Sequence, residues 1–354
     1  MNEKKYQAIS LFSGAGGMDV GFEQAGIDVV LANELDPVAA KTYAINHKKT
    51  KLIVDDVNNV LPDIEAYKNI DIVFGGPPCQ GFSVIGKMNP EDTRSQLIWS
   101  FLEAVNKLQP KAFVMENVKA LAHISKWKGV KEEFLNKARE MGYTCVPFIL
   151  NALDYGTPQK RERVFFVGIR GNIDFEEKYL NLLEKQKSIA PTIRELFKDL
   201  GPAGTDKNPK TCSAKITFAE RPIMRKIPYD CLMFNGIGRP IDPDGYSRTI
   251  TASQGGNMTL IVDEVYLHNK NADNWIQDYY DKLISKEIVP QFAEAPSRLR
   301  RLTINETRRI QTFPDEYVFS GAKTNIYKQI GNAVPCNMAR AVAKALVDFL
   351  DLYQ

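Results

Sequence analysis

The stretch AISLFSGAGGMDVGFEQA, Ala8–Ala25, decides the fold. Ala8–Phe12 is a short apolar run suited to a buried strand, Phe12–Gly17 is a glycine-rich turn, and Gly17–Ala25 is an amphipathic segment suited to a helix. The same alternation continues outward through the runs Val29–Ala32, Ile70–Phe74 and Ala112–Met115 and the helical stretches Pro37–Asn46 and Ser95–Leu108. Strands that alternate with helices predict a parallel α/β sheet. Gly129–Met141 reads as a further helix, and Tyr143–Leu150 and Val164–Ile169 as strands that extend the sheet. After Arg170 the rhythm stops, and residues 171–300 show weak periodicity with no internal repeat. Regularity returns past Leu302, where Met338, Ala341, Val342, Ala345, Leu346, Phe349 and Leu350 share one helix face that suits packing on the first domain. The expected organisation is a first domain over 1–172, an irregular one over 173–300, and a segment, 301–354, that returns to the first.

At 354 residues the chain is long enough for two domains, and 44% hydrophobic with 25% charged residues is ordinary for a folded globular protein. No apolar stretch reaches the roughly 20 residues of a membrane span. The start MNEKKYQAISLF has no long apolar region ahead of a cleavage site, so a cytoplasmic protein without membrane association is expected. The five cysteines are widely spaced and without a CxxC pair, and the three histidines, His47, His123 and His268, lie far apart. Disulfide, zinc and Ser-His-Asp chemistry therefore find little support, and no metal is expected. A net charge of +3 permits a nucleic-acid partner without demanding one.

The turn Phe12-Ser13-Gly14-Ala15-Gly16-Gly17 sits where this fold class binds ligands at a helix N-terminus. Asp19 occupies the place of the third glycine of a dinucleotide fingerprint, which fits a nucleoside better than a pyrophosphate. Glu34 ends the second strand, about 20 residues beyond the glycines, where an acid can accept from ribose hydroxyls. Asp56 follows the run Lys51–Val54 and could receive an adenine amino group. Each element alone is better explained by a tight turn and two solvated carboxylates; together they favour a cofactor site.

GGPPCQGFS, Gly75–Ser83, follows the strand Ile70–Phe74 and holds Cys79 on a loop stiffened by Pro77 and Pro78. Most free cysteines are small buried hydrophobes, the reading adopted for Cys145, Cys212 and Cys231. Cys79 differs because it lies beyond the carboxyl end of a strand, where open α/β sheets place their ligands. A small thiolate fraction at neutral pH is already strongly nucleophilic. Glu116 ends the next strong strand and would face the same site. Arg161 and Arg163, in Gln159–Arg163 before Val164–Ile169, fall on one side by strand alternation and could hold an oxyanion. Singly, Glu116 also suits a helix cap and the arginines an exposed strand edge.

FSGAGG, NELDP, GGPPCQGFS, ENV, QKRER and YKQIGNAVP occur here in the order found in the DNA cytosine-C5 methyltransferases, most often bacterial modification enzymes, and the chain resembles that family over roughly residues 8–172 and 299–348. The resemblance implies a Rossmann-like, mostly parallel α/β methyltransferase domain with helices on both faces, plus a smaller irregular target-recognition domain. It implies S-adenosylmethionine as methyl donor, S-adenosylhomocysteine as product and double-stranded DNA as partner. Cys79 would add to cytosine C6, Glu116 would stabilise protonation at N3, and Arg163 with Arg161 would grip O2 and order the Cys79 loop. The base would be flipped out of the duplex to be reached. Phe12, the backbone at Gly14 and Gly16, Glu34, Asp56, Leu97 and Asn332 would hold the cofactor. Leu35 departs from the pattern, since relatives often place an aromatic residue there.

The segment 173–300 would read the target sequence. Between Lys207 and Lys226, six cationic side chains, among them Arg221 and Arg225, face Glu220 alone. A solvated basic face is the plainer explanation of such a run. Arg248 lies in the only family match of this segment, Arg248-Thr249-Ile250-Thr251. Gln254 is a candidate adenine reader, and Arg298, Arg300 and Arg301 form a second basic cluster suited to phosphates. A monomer reading DNA through a cleft between two domains is expected, and the resemblance to modification enzymes allows a cognate restriction endonuclease encoded nearby. Two alternatives remain: a tRNA cytosine-C5 methyltransferase, against which the long middle segment and the missing Cys-Phe-Thr tripeptide argue, and a catalytically silent DNA-binding regulator, against which the intact Cys79, Glu116, Arg161 and Arg163 set argues.

Overall fold

The structure, a computed structural model, describes residues 6–78 and 96–353. From Gln7 to Asn151 the chain forms β1 (Gln7–Leu11), α1 (Gly17–Gln24), β2 (Asp28–Asn33), α2 (Pro37–Asn46), β3 (Lys51–Ile53), α3 (Val57–Val60), β4 (Ile72–Gly75), α4 (Leu97–Leu108), β5 (Ala112–Val118), α5 (Lys119–His123), α6 (Lys128–Glu140) and β6 (Tyr143–Asn151). It continues through β7 (Gln159–Lys160), β8 (Glu162–Arg170), α7 (Glu176–Glu184), α8 (Ile193–Phe197), β9 (Phe218–Ile223), β10 (Leu232–Phe234) and β11 (Ser247–Arg248). The last part holds β12 (Ile261–Asp263), α9 (Glu264–His268), α10 (Trp275–Ile284), β13 (Leu299–Arg301), α11 (Ile304–Ile310), α12 (Lys323–Asn332) and α13 (Cys336–Tyr353).

Two compact units divide the chain: Met1–Gly156 with Arg161–Ile189 and Ala333–Gln354, and Thr157–Lys160 with Ala190–Asn332. The first is built on a seven-stranded sheet of order β3-β2-β1-β4-β5-β8-β6. β3 to β5 run parallel, as the strand-helix alternation predicts, whereas β8 is antiparallel to both β5 and β6. β6 and β8 are joined by Ala152–Arg161 without a crossover helix, and a connection that short returns the chain antiparallel.

Strand alternation sorts side chains onto two faces. On β5, Ala112 and Val114 enter one core with Met18 and Phe22 of α1, Tyr179 and Leu183 of α7, and Met338, Val342 and Leu346 of α13. Phe113 and Met115 enter the opposite core with Phe101 and Val105 of α4 and Phe134 of α6. Helices therefore cover both faces of the sheet, as parallel strands require. All seven α13 residues read from the sequence as one apolar face are buried.

The second unit carries three two-stranded ladders, β9/β10, β7/β11 and β12/β13, around two smaller cores. Its limits differ from those expected. Residues up to Ile189 stay with the first unit because α7 packs on α13, where the Tyr179 hydroxyl donates to the Val342 carbonyl at 2.8 Å. Residues 301–332 stay with the second because Arg300 on β13 is bonded through both terminal nitrogens to Glu306 on α11, at 2.8 and 2.7 Å.

Candidate active site

The first turn is held in a conformation open to few residues. Gly14 and Gly16 adopt φ values of 56° and 84°, and Phe12 also has φ 57°. A phenylalanine there stores of order 1–3 kcal/mol of strain, a feature that clusters at functional sites. Hydrogen bonds join the ends of three strands around this turn. Ser13 N–H donates to the Asn33 carbonyl at 3.0 Å. Asn33 Nδ2 donates to the carbonyls of Ile53 at 3.3 Å and Asp55 at 2.9 Å. Glu34 accepts from the N–H groups of Gly14 and Asp36, both at 2.7 Å. Burial raises the Glu34 carboxyl above its ordinary value, against these two N–H donors. Among the described residues, a Cβ added at Gly14 would meet no atom within 4 Å. Leu35 beside it is 62% exposed.

Asp56 caps α3, its Oδ1 accepting from Asn58 N–H at 2.9 Å. Leu97 begins α4 and, like Phe12, packs partly buried against the core that holds Phe101 and Phe113. Asn332 is the exposed last residue of α12 and belongs to the second unit. Asp19 is wholly buried. It accepts from the Tyr43 hydroxyl of α2 at 2.9 Å, and burial lifts its pKa to about 6. Sequence reasoning treated Asp19 only as a missing glycine; an acid inside the first turn of an otherwise apolar helix face was the available signal.

Cys79 lies outside the described residues, which end at Pro78 on this side. The stem of its loop is described. Asn117 Nδ2 of β5 donates to the Pro77 carbonyl at 3.2 Å, and a Cβ at Gly76 would stand 3.0 Å from Glu116 Oε2. The parallel pairing of β4 with β5 brings these groups together, since Gly75 is in register with Met115. Glu116 Oε1 meets Arg163 Nε of β8 at 2.9 Å, with side chains only 12% and 15% exposed. Burial raises the Glu116 pKa, opposed by Arg163 first and Arg161 next. Arg161 is buried and donates through Nη2 to the Ala333 carbonyl at 3.1 Å, where the chain rejoins the first unit. Asn117, which pins the proline stem, is visible in the sequence only as the middle residue of the motif ENV.

The residues considered for DNA contact fare differently from one another. Arg221 and Arg225 are exposed. Arg248 is ion-paired to Asp230. Gln254 is buried, its Nε2 donating to Thr307 Oγ1 at 3.2 Å. The second basic cluster is corrected: it is a set of internal pairs rather than a free phosphate surface. Arg298 is paired with Asp263 and Asp273, Arg300 with Glu264 and Glu306, and Arg301 donates to the carbonyls of Asn257 and Thr259. Among the described residues no group of His, Cys, Asp and Glu is arranged to hold a metal ion, and no helix is long and apolar enough to cross a membrane.

The sequence model of the family described as C-5 cytosine-specific DNA methylase matches residues 6–348. The chain is similar to the Type II methyltransferase M.Eco47II of Escherichia coli, at 33% identity over 98% of this chain and 80% of that protein. It is equally similar to M.FnuDI of Fusobacterium nucleatum, at 33% identity over 97% of this chain and 94% of the relative. In three dimensions it resembles the Dnmt2 methyltransferase of S. pombe with a TM-score of 0.68 over 99% of this chain and 100% of that one, at 18% identity, a likeness of fold. With a family match spanning nearly its whole length and Type II relatives at one-third identity, the chain belongs to the C-5 cytosine-specific DNA methylases and is a DNA cytosine-C5 methyltransferase of the Type II restriction-modification kind.

Proposed function

We propose that this enzyme methylates cytosine in one short duplex sequence, using S-adenosylmethionine and a covalent Cys79–C6 adduct, as the modification partner of a restriction endonuclease. The observation that carries this reading is the Glu116–Arg163 pair at the adjoining ends of β5 and β8, next to the proline stem that leads into Cys79.

The residues at the first turn suit the methyl donor. The acidic Glu34 and Asp56 and the apolar Phe12, Leu35 and Leu97 suit a ribose, an adenine amino group and an adenine face, with the left-handed backbone at Gly14 and Gly16 around the methionine part. Bound there, S-adenosylmethionine supplies an electrophilic methyl group.

Cytosine C5 is a weak nucleophile until a group adds to C6. The Cys79 thiolate would make that bond, while Glu116 holds a proton at N3 so that the electron pair is delivered to C5. A carboxyl whose pKa burial raises suits this task because it holds a proton more readily than an exposed one. Arg163 fixes the orientation of Glu116, and with Arg161 it would supply preorganised positive charge at O2, the kind of term that is often the largest in catalysis. Once C5 is methylated, loss of its proton returns electrons to the ring and expels Cys79. The target base must leave the stack, at a few kcal/mol, to reach these groups.

The test is bisulfite sequencing of plasmid DNA from a methylation-free host expressing the chain, with Cys79→Ser as control. Protected cytosines confined to one short motif, lost in the variant while gel-shift binding persists, are the expected result. Full conversion of every cytosine despite soluble protein, or near-wild-type turnover by Cys79→Ser, would overturn the reading. Label appearing in tRNA instead would redirect it to the RNA alternative.

A further inference from the structure

The turn that joins β9 to β10 brings an unbalanced set of charges together. Arg225 and Asp230 lie on this turn, Arg239 lies just beyond β10, and Arg248 lies on β11. Arg248 is ion-paired with Asp230, both side chains 39% exposed. Arg239 lies within electrostatic reach of Arg248, Asp230 and Arg225, and Cys231 senses Asp230, Arg225 and Arg239. Among the described residues only Arg248 is bonded to Asp230, while Arg239 and Arg225 lie in the same charged neighbourhood without a carboxylate of their own. Burial, and Arg248 beside it, push the Arg239 guanidinium below its ordinary pKa, the mark of a cation short of counter-charge. Among the described residues neither Arg225 nor Arg239 has a carboxylate within ion-pair distance.

The turn is also braced. Arg225 N–H donates to the buried Cys231 Sγ at 3.1 Å, and that thiol approaches the Ile227 carbonyl at 3.3 Å. The Tyr280 hydroxyl of α10 donates to the carbonyls of Arg225 and Lys226, at 2.9 and 3.1 Å. Asn274, at the start of α10, donates to the Tyr229 hydroxyl at 2.8 Å. The helix between residues 258 and 297 thus holds the backbone from which Arg225 and Asp230 project. A basic solvated face would need no such support.

We propose that Arg225, Arg239 and Arg248 form a seat for one backbone phosphate of duplex DNA, and that the Asp230 carboxylate occupies it as an internal stand-in until DNA arrives. The proposal rests on the reading of duplex DNA as substrate. Guanidinium forks match the oxygens of carboxylate and phosphate alike. An ion pair this exposed contributes about 0–1 kcal/mol, so exchanging Asp230 for a phosphodiester loses little. A guanine edge would engage a single free fork and, being neutral, would leave the other cations uncompensated. The internal carboxylate gives a distinctive consequence: removing it frees the seat, so loss of an ion pair strengthens binding.

The experiment measures binding of a fluorescent random-sequence 30-base-pair duplex across a salt series. Asp230→Asn should bind about two- to fivefold tighter than wild type, the range an exposed pair can release. Arg239→Ala should reduce the salt slope by about 0.9, and Arg239→Lys should retain it. The methylated motif, read by bisulfite sequencing, should be unchanged in Arg239→Ala. Unchanged or weaker binding by Asp230→Asn, an unaltered slope in Arg239→Ala, or a motif relaxed at one base pair would overturn the proposal; the last would make this a base-reading site. If Arg239→Ala does not fold, Asp230→Asn decides alone, because its side chain is well exposed. Absence of salt-dependent duplex binding by the wild-type protein would instead defeat the DNA reading beneath it.

Discussion

Removing Arg163 should destabilise the protein by an amount that grows with pH. Its Nε lies 2.9 Å from Glu116 Oε1, and both side chains are largely shielded from water. A hydrogen bond to a charged group contributes about 1.5–3 kcal/mol. Losing it raises the Glu116 pKa further, above a value that burial has already raised. An acid whose folded pKa lies above its unfolded value keeps its proton longer in the folded state. Its contribution to stability is complete below the unfolded pKa, near 4.3, and is lost as pH rises through the folded pKa. In Arg163→Ala that loss extends further toward neutral pH than in wild type. The penalty relative to wild type should therefore grow with pH, toward about 1.5–3 kcal/mol where Glu116 is ionised in both proteins. Urea unfolding from pH 5 to 8.5 measures it. The same substitution in a Glu116→Gln background, which carries no titrating group at 116, should give a penalty that does not vary with pH. A flat penalty in the wild-type background, or an equal slope in both, would show that Arg163 acts through packing rather than charge and would refute the argument.

Tyr43→Phe removes the donor to the wholly buried Asp19, at 2.9 Å, and should cost about 1–3 kcal/mol. Because the Asp19 pKa is raised to about 6, its contribution in the wild-type protein is lost as pH rises through that value. The variant should shift that loss upward in an unfolding series from pH 5 to 8; an unshifted profile would exclude the hydrogen bond as the cause. Gly21→Ala should lower the melting temperature, since a Cβ there meets Arg340 N at 2.5 Å and Ala339 Cβ and Cys336 O at 2.6 Å on α13. Overpacking of about 1–3 kcal/mol outweighs the helix-propensity gain of about 1 kcal/mol, and a raised melting temperature would mean that α13 yields easily.

The sheet was legible because burial on two faces leaves a local record. Ile72-Val73-Phe74 and Ala112-Phe113-Val114-Met115 are continuous apolar runs, as strands covered on both faces must be, and neighbouring residues in them do enter opposite cores. The direction of β8 was not legible from its own residues, because an antiparallel strand buried on both faces has the same composition as a parallel one. Only the short link after β6 marks it. The pairing of Glu116 with Arg163 follows from the same geometry: Val118 is in register with Arg163, so the end of β5 and the start of β8 adjoin although 46 positions separate the two residues of the pair.

Charge leaves no comparable record, because a cation's role depends on which acid reaches it, and that acid can come from anywhere in the chain. Arg300 and Arg225 look alike in sequence, each within a short basic cluster. Arg300 is neutralised by Glu264 and Glu306, brought together by the β12/β13 ladder and the capping box that starts α11. Arg225 stands on a turn whose own acid, Asp230, is already taken by Arg248. The run from Lys207 to Lys226 stands out because Glu220 is its one acid, and the cluster at 298–301 because it sets three arginines within four residues. What separates them is tertiary pairing: the second cluster is balanced by acids on neighbouring elements and the turn is not. Surplus charge after folding, rather than charge density along the chain, therefore marks where this enzyme should meet a polyanion. The distinction has a measurable form: neutralising Arg300 should injure stability through the buried Glu306 it leaves behind, whereas neutralising Arg239 should leave the fold intact and change the salt dependence of DNA binding.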